Sequence, residues 1–90
     1  MTSVRLTMSD DLVELDLTGL KCPLPVLQTR RALRRLSPGR TLAVVCTDPL
    51  AAIDIPHLVR EEGDVLEGQG RHGEAIRFTI RRGTRVFAPE

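Results

Sequence analysis

Tryptophan and tyrosine are absent from this 90-residue chain, and Phe78 and Phe87 are its only phenylalanines. Base-stacking platforms of the kind that hold single-stranded nucleic acids therefore have almost nothing to work with. Only two cysteines are present, too few for a disulfide scaffold, which points to the cytoplasm, where thiols stay reduced. No apolar run approaches the roughly 18–20 residues of a membrane span. The first residues, Met1-Thr2-Ser3-Val4-Arg5, lack the charged-then-apolar layout of a signal peptide. Neither sign of charge dominates: 13 basic groups face 12 acidic ones. What is present, 41% hydrophobic and 28% charged residues, is globular composition. The length suits one domain that buries about 60–65% of its unfolded surface. Such a domain holds a small core but hardly a deep pocket as well. Its chemistry should sit near the surface, with a partner protein supplying the rest.

The near-zero balance hides an asymmetry. Arg5 faces Asp10, Asp11, Glu14 and Asp16 in the first 20 residues, for a net −3. Residues 21–47 carry Lys21, Arg30, Arg31, Arg34, Arg35 and Arg40 with no acid, a net +6. Residues 48–70 return to −5 and residues 71–90 to +3. Such blocks are commonly solvated helix faces; the functional alternative is a basic face that steers an acidic partner.

Hydrophobic periodicity divides the chain into elements. Residues 1–10 show none and are expected to be a loose N-terminal segment, with residues 84–90 a C-terminal tail. Val13, Leu15 and Leu17 alternate with Glu14 and Asp16 as a half-buried strand does. After Thr18-Gly19-Leu20 the period changes: Val26, Leu27, Leu33 and Leu36 fall at helical spacing, and Ser37-Pro38-Gly39 stops the helix. Thr41–Cys46 is a continuous apolar run, as a buried central strand requires. Asp48-Pro49 opens a short turn through Ala51 and Ala52. Asp54-Ile55-Pro56 then reads as a cap with proline in the first turn of a second helix, which Gly63 ends. Val65-Leu66-Glu67 and residues 76–81 read as strands joined by a turn around Gly70-Arg71-His72-Gly73. The order β-α-β-α-β-β, with only two helices, predicts an α+β two-layer sandwich spanning residues 11–83: four strands, both helices on one face. Glu14, Asp16, Arg77, Thr79 and Arg81 would line the other, solvated face.

Gly19-Leu20-Lys21-Cys22-Pro23-Leu24-Pro25-Val26 carries most of the functional information. Cys22 falls at or beside the N-cap of the first helix, with Pro23 at its first position, where the missing N–H costs nothing. A helix N-terminus presents unpaired N–H groups and about half a positive charge. A thiolate there is stabilised, Lys21 acts in the same direction, and the pKa is expected below the free value of about 8.5. Pro25 stiffens the turn. The expectation is a surface thiol suited to be a nucleophile or sulfur carrier, against the bland reading of a small packed residue.

Cys22-Pro23-Leu24-Pro25, preceded by Leu15-Asp16-Leu17-Thr18-Gly19-Leu20, resembles the CPxP signature of the TusA/SirA family of small sulfur-carrier proteins. The resemblance runs through Pro38-Gly39, Thr47-Asp48-Pro49, Asp54-Ile55-Pro56 and Phe78-Thr79-Ile80-Arg81-Arg82, roughly residues 12–82. It implies a mixed sheet of order 1-2-4-3 with strand 4 antiparallel. It also implies that Cys22 accepts sulfane sulfur as a persulfide and relays it. The donor would be a cysteine desulfurase or a rhodanese-like protein, and the acceptor a protein of tRNA thiolation, molybdenum-cofactor maturation or sulfur oxidation. Lys21, Pro23 and Pro25 would support the motif, and Arg30 and Asp48 become candidate partner-docking residues. Leu24 between the prolines is apolar rather than acidic, so it does not single out a subgroup.

Other groups have competing readings. Cys46 ends an apolar strand and reads as a small buried hydrophobe, the alternative being a resolving thiol for Cys22. His57 and His72 with the two cysteines match no zinc spacing, so neither metal nor cofactor is expected. The arginine cluster complements its helix dipole, and without aromatics direct nucleic-acid binding is not expected. A monomer away from membranes is the expected state. The rival function is a binding or regulatory module on the same fold, which would tolerate serine at position 22.

Overall fold

The computed structural model describes residues 5–8 and 12–83. Five strands and two helices follow in the order β1 (Arg5–Met8), β2 (Leu12–Leu17), α1 (Leu24–Arg35), β3 (Thr41–Cys46), α2 (Ala51–Glu62), β4 (Val65–His72) and β5 (Ala75–Arg81). They form one sheet in the order β1-β2-β3-β5-β4. The four strands read from the sequence keep the expected 1-2-4-3 arrangement: β2 and β3 are parallel, while β5 runs antiparallel to β3 and to β4. Helix α1 lies over β2 and β3, and α2 over β4 and β5.

The core forms between sheet and helices because alternate residues point the same way. Val13, Leu15 and Leu17 of β2, Leu42, Val44 and Cys46 of β3, and Ile76, Phe78 and Ile80 of β5 are all buried. Leu33 from α1 and Ile55 and Val59 from α2 close the layer from above. On the outer face Glu14 and Arg77 pair at 2.7 Å. Glu14 lies opposite Ala43 and Arg77 opposite Val45, so the pair crosses the central strand diagonally over the small, buried Ala43.

Three details differ from the sequence reading. Arg5–Met8, within the segment expected to be loose, adds an antiparallel edge strand to β2; the rest of residues 1–10 and the expected tail at 84–90 lie outside the described residues. Strand β4 continues from Glu67 to His72, although Gly68, Gln69, Gly70, Arg71 and His72 offer no apolar alternation. Backbone pairing to β5 alone extends it, with a register shift between Leu66 and Gly68, and the turn moves to Gly73-Glu74. Helix α2 starts at Ala51 rather than at the Asp54-Ile55-Pro56 cap. The Asp48 carboxylate takes the Leu50 N–H at 3.1 Å and so opens the helix earlier, which leaves Asp54 in the first turn and Pro56 inside. Gly63, left-handed at φ 78°, ends α2 as expected.

Candidate functional site

Parallel pairing of β2 and β3 puts Leu17 opposite Cys46, so both strands end together and their outgoing loops meet. Open sheets place sites at the carboxyl ends of such strands. Side chains tie the two loops: Gly19 N–H donates to Thr47 Oγ1 at 2.9 Å, and Cys22 N–H donates to Asp48 Oδ2 at 2.6 Å. On the first loop Asp16 Oδ1 accepts the Thr18 N–H and hydroxyl at 3.0 and 2.5 Å. Cys22 is thereby pinned by its backbone, with its sulfur exposed.

Pro23 occupies the N-cap of α1, Leu24 opens the helix and Pro25 follows, so Cys22 lies one residue outside the cap. The Cys22-Pro23 peptide is cis. This helix end has little to offer an anion. Pro23 and Pro25 carry no N–H, and the Leu24 N–H is spent on the Lys21 carbonyl at 2.9 Å.

The groups closest to the sulfur are acidic. Cys22 Sγ donates to Asp54 Oδ2 at 3.6 Å, and Asp48 holds the neighbouring N–H. The Cys22 pKa is accordingly raised: desolvation by the surrounding chain acts first, then the Asp54 charge, the hydrogen bond to Asp54, and the Asp48 charge. This corrects the expectation of a thiolate favoured by the helix terminus and Lys21. Desolvation and two carboxylates outweigh a helix end poor in free donors, and the thiol form, hydrogen-bonded to Asp54, is favoured.

Lys21 is exposed beside Cys22. Asp48, a candidate for partner docking, spends its carboxylate on the Cys22 and Leu50 N–H groups. Arg30 lies eight residues beyond Cys22, about 12 Å along the helix. It approaches the buried Glu62 of α2 at 3.8 Å, while Arg34 grips the same carboxylate with two nitrogens at 3.0 and 3.2 Å. Part of the basic face is thus an inter-helix clamp. A shallow groove of about 400 Å³ runs between Leu27, Arg30, Arg31, Arg34 and Arg35. Leu24, Leu27, Leu50 and Ile53 are exposed at the starts of the same two helices.

Cys46 is fully buried and its pKa is pushed up to about 12, by desolvation first and then by the Asp48 and Asp16 charges. Among the described residues no three His, Cys, Asp or Glu side chains group as a metal site. The sequence reading missed Asp54 as a neighbour of the sulfur. It missed Glu62 as well.

Comparison with known proteins decides the family. The model of the sulfurtransferase TusA family matches residues 13–82. The chain belongs to that family. It is 35% identical to the sulfur carrier protein TusA of Allochromatium vinosum, covering 83% of this chain and 99% of that protein. Its fold is that of the SirA-like protein of Desulfitobacterium hafniense, with a TM-score of 0.69 over 80% of this chain and 97% of the other at 23% identity. The motif that carried the resemblance, Cys22-Pro23-Leu24-Pro25, lies inside the matched span. Among the described residues of this TusA-family chain, no helix is long and apolar enough to cross a membrane.

Proposed function

We propose that this protein is a sulfur carrier that accepts sulfane sulfur as a persulfide on Cys22 and relays it between partner proteins. The observation that carries the reading is the setting of Cys22: an exposed sulfur on a backbone pinned by Asp48, at the meeting point of two strand ends. The family and the curated relative named as a sulfur carrier support it. A pinned but open sulfur suits a chain that must be reached by the active site of one protein and then of another. The donor is a cysteine desulfurase or a rhodanese-like protein, and the acceptor another protein thiol, in the reducing cytoplasm.

The apolar rim of Leu24, Leu27, Leu50 and Ile53 gives such partners surface to cover, and Lys21 with the outer arginines adds charge steering. Arg30 contributes from its half-exposed position. Asp48 serves the site by holding Cys22 rather than by meeting the partner. Pro23 and Pro25 fix the entry to α1, and no cofactor is needed for the transfer.

The test is transfer of label from radiolabelled cysteine by a cysteine desulfurase. The chain should retain label that a reducing thiol releases. Cys22→Ser should retain none while staying folded, and Cys46→Ser should retain it. Label kept by Cys22→Ser, or lost only in Cys46→Ser, would reject Cys22 as the carrier.

A further inference from the structure

Among the described residues, the carboxylate that faces the reactive sulfur has no hydrogen bond or ion pair besides its contact with that sulfur. Asp48 Oδ1 and Oδ2 are both engaged by backbone N–H groups, but Asp54 Oδ2 faces Cys22 Sγ at 3.6 Å from the first turn of α2. Ala51 and Ile55, on either side of Asp54 in the helix, are buried, so the helix that aims it is anchored. Lys21 precedes Cys22 in the chain; the two charges that face the thiol from across the site are Asp54 and Asp48. A helix end poor in N–H donors does not stabilise a free thiolate. A thiol in this setting needs a local acceptor for its proton when it attacks and a local donor when it leaves.

We propose that Asp54 is a catalytic residue of this site, which takes the Cys22 proton as the sulfur attacks and hands it to the departing thiol. With a persulfide donor, a bond forms between Cys22 Sγ and the donor's outer sulfur, and the donor's S–S bond breaks. Its electron pair leaves on the inner sulfur, which collects from Asp54 the proton that Cys22 gave up. The products are the Cys22 persulfide and a donor thiol. The sulfane sulfur is passed on at the same oxidation level, so no outside oxidant or reductant is involved. In the second half-transfer an acceptor thiol attacks the outer sulfur and gives its proton to Asp54, which passes it to Cys22 Sγ as the S–S bond breaks, leaving the acceptor persulfide and the Cys22 thiol. The donor's identity rests on the carrier reading; the proton route does not.

Two neutral disulfides separate the proton route from simple electrostatics. Dipyridyl disulfide releases a thiol that needs no proton to depart, whereas hydroxyethyl disulfide releases an alkyl thiolate that does. Asp54→Asn keeps the size and removes the negative charge, so Cys22 should ionise more readily and react faster than wild type with dipyridyl disulfide near neutral pH. With hydroxyethyl disulfide the same variant should react more slowly, by about a hundredfold, the low end of what a positioned acid-base group supplies. Asp54→Glu should recover part of that rate, and thermal melting checks that both variants are folded. Faster reaction with both disulfides, or equal slowing with both, overturns the proposal. Neither reagent carries sulfane sulfur. Failure to take label from the desulfurase would reject the carrier reading and leave this result standing.

Discussion

The two ends of the sheet use polar side chains in opposite ways. Where β2 and β3 finish, Asp48, Asp54 and Thr47 converge on an exposed loop and an exposed sulfur. At the other end polar groups are turned inward. Arg82 donates to the Leu33 carbonyl at the close of α1 and approaches Asp64 at 3.8 Å, with the Asp64 side chain only 2% exposed. Asp64 also accepts the Gly83 N–H at 2.8 Å, and the Arg82 backbone brackets Gly39 and Arg40 at 2.9 and 2.8 Å. A side chain at Gly83 would run into the Gly63 carbonyl oxygen, so the backbones of the two segments nearly touch. One end is a clamp that closes the helices onto the sheet. The other keeps its hydrogen bonds in the loops and leaves a nucleophile open.

If that division is right, damage at the two ends should have different consequences. The largest separation comes from Cys22→Ser, which should abolish sulfur acceptance while leaving the melting temperature nearly unchanged, as expected for an exposed position. Asp64→Ala should do the reverse. Losing the buried carboxylate leaves the Gly83 N–H without its acceptor and Arg82 held by the Leu33 carbonyl without its charge partner, at a cost of about 1–3 kcal/mol in denaturant unfolding, while label uptake by the surviving folded protein stays intact.

The second cysteine sharpens the contrast. Burial raises Cys46 from the ordinary 9.0 to about 12, so the folded chain holds this proton more tightly than the unfolded one. Its contribution to stability is complete below pH 9 and is lost as pH climbs toward 12. Chemical unfolding across that window should show the decline. Cys46→Ala should flatten it, at about 1 kcal/mol of lost packing near neutral pH. A smaller effect lies at Thr29, fully buried on α1 with no partner for its hydroxyl among the described residues. Thr29→Val keeps the shape and removes the unmet group, so stability should rise by about 1 kcal/mol, read as a higher denaturant midpoint.

How much of this the sequence reveals follows from how far apart the interacting residues lie. Alternation at Val13, Leu15 and Leu17 and the run Thr41–Cys46 announce their strands, because burial on one or both faces leaves a local pattern. Strand β4 beyond Glu67 leaves none, since an edge held by backbone pairing does not require apolar side chains. The start of α2 was hidden by a second cap-like triplet, Asp54-Ile55-Pro56, whose aspartate serves the site instead. Cys22 itself is legible from the two prolines that follow it, Pro23 and Pro25. Its electrostatic setting is not: Asp48 and Asp54 lie 26 and 32 residues away, and the β2–β3 register and the start of α2 bring them to the Cys22 N–H and sulfur. Local reasoning counted the helix end and Lys21 and had no view of the carboxylates.

That setting can be measured on the unmodified protein. Desolvation and the two carboxylates, not the helix terminus, set the state of the Cys22 sulfur. The rate of Cys22 alkylation by a neutral reagent such as iodoacetamide, followed against pH by intact mass, reads this directly, since Cys46 is buried and should stay silent. The account predicts a midpoint above the ordinary thiol value of 9.0. A midpoint below it would mean that Lys21 and the helix terminus prevail, and would contradict the account.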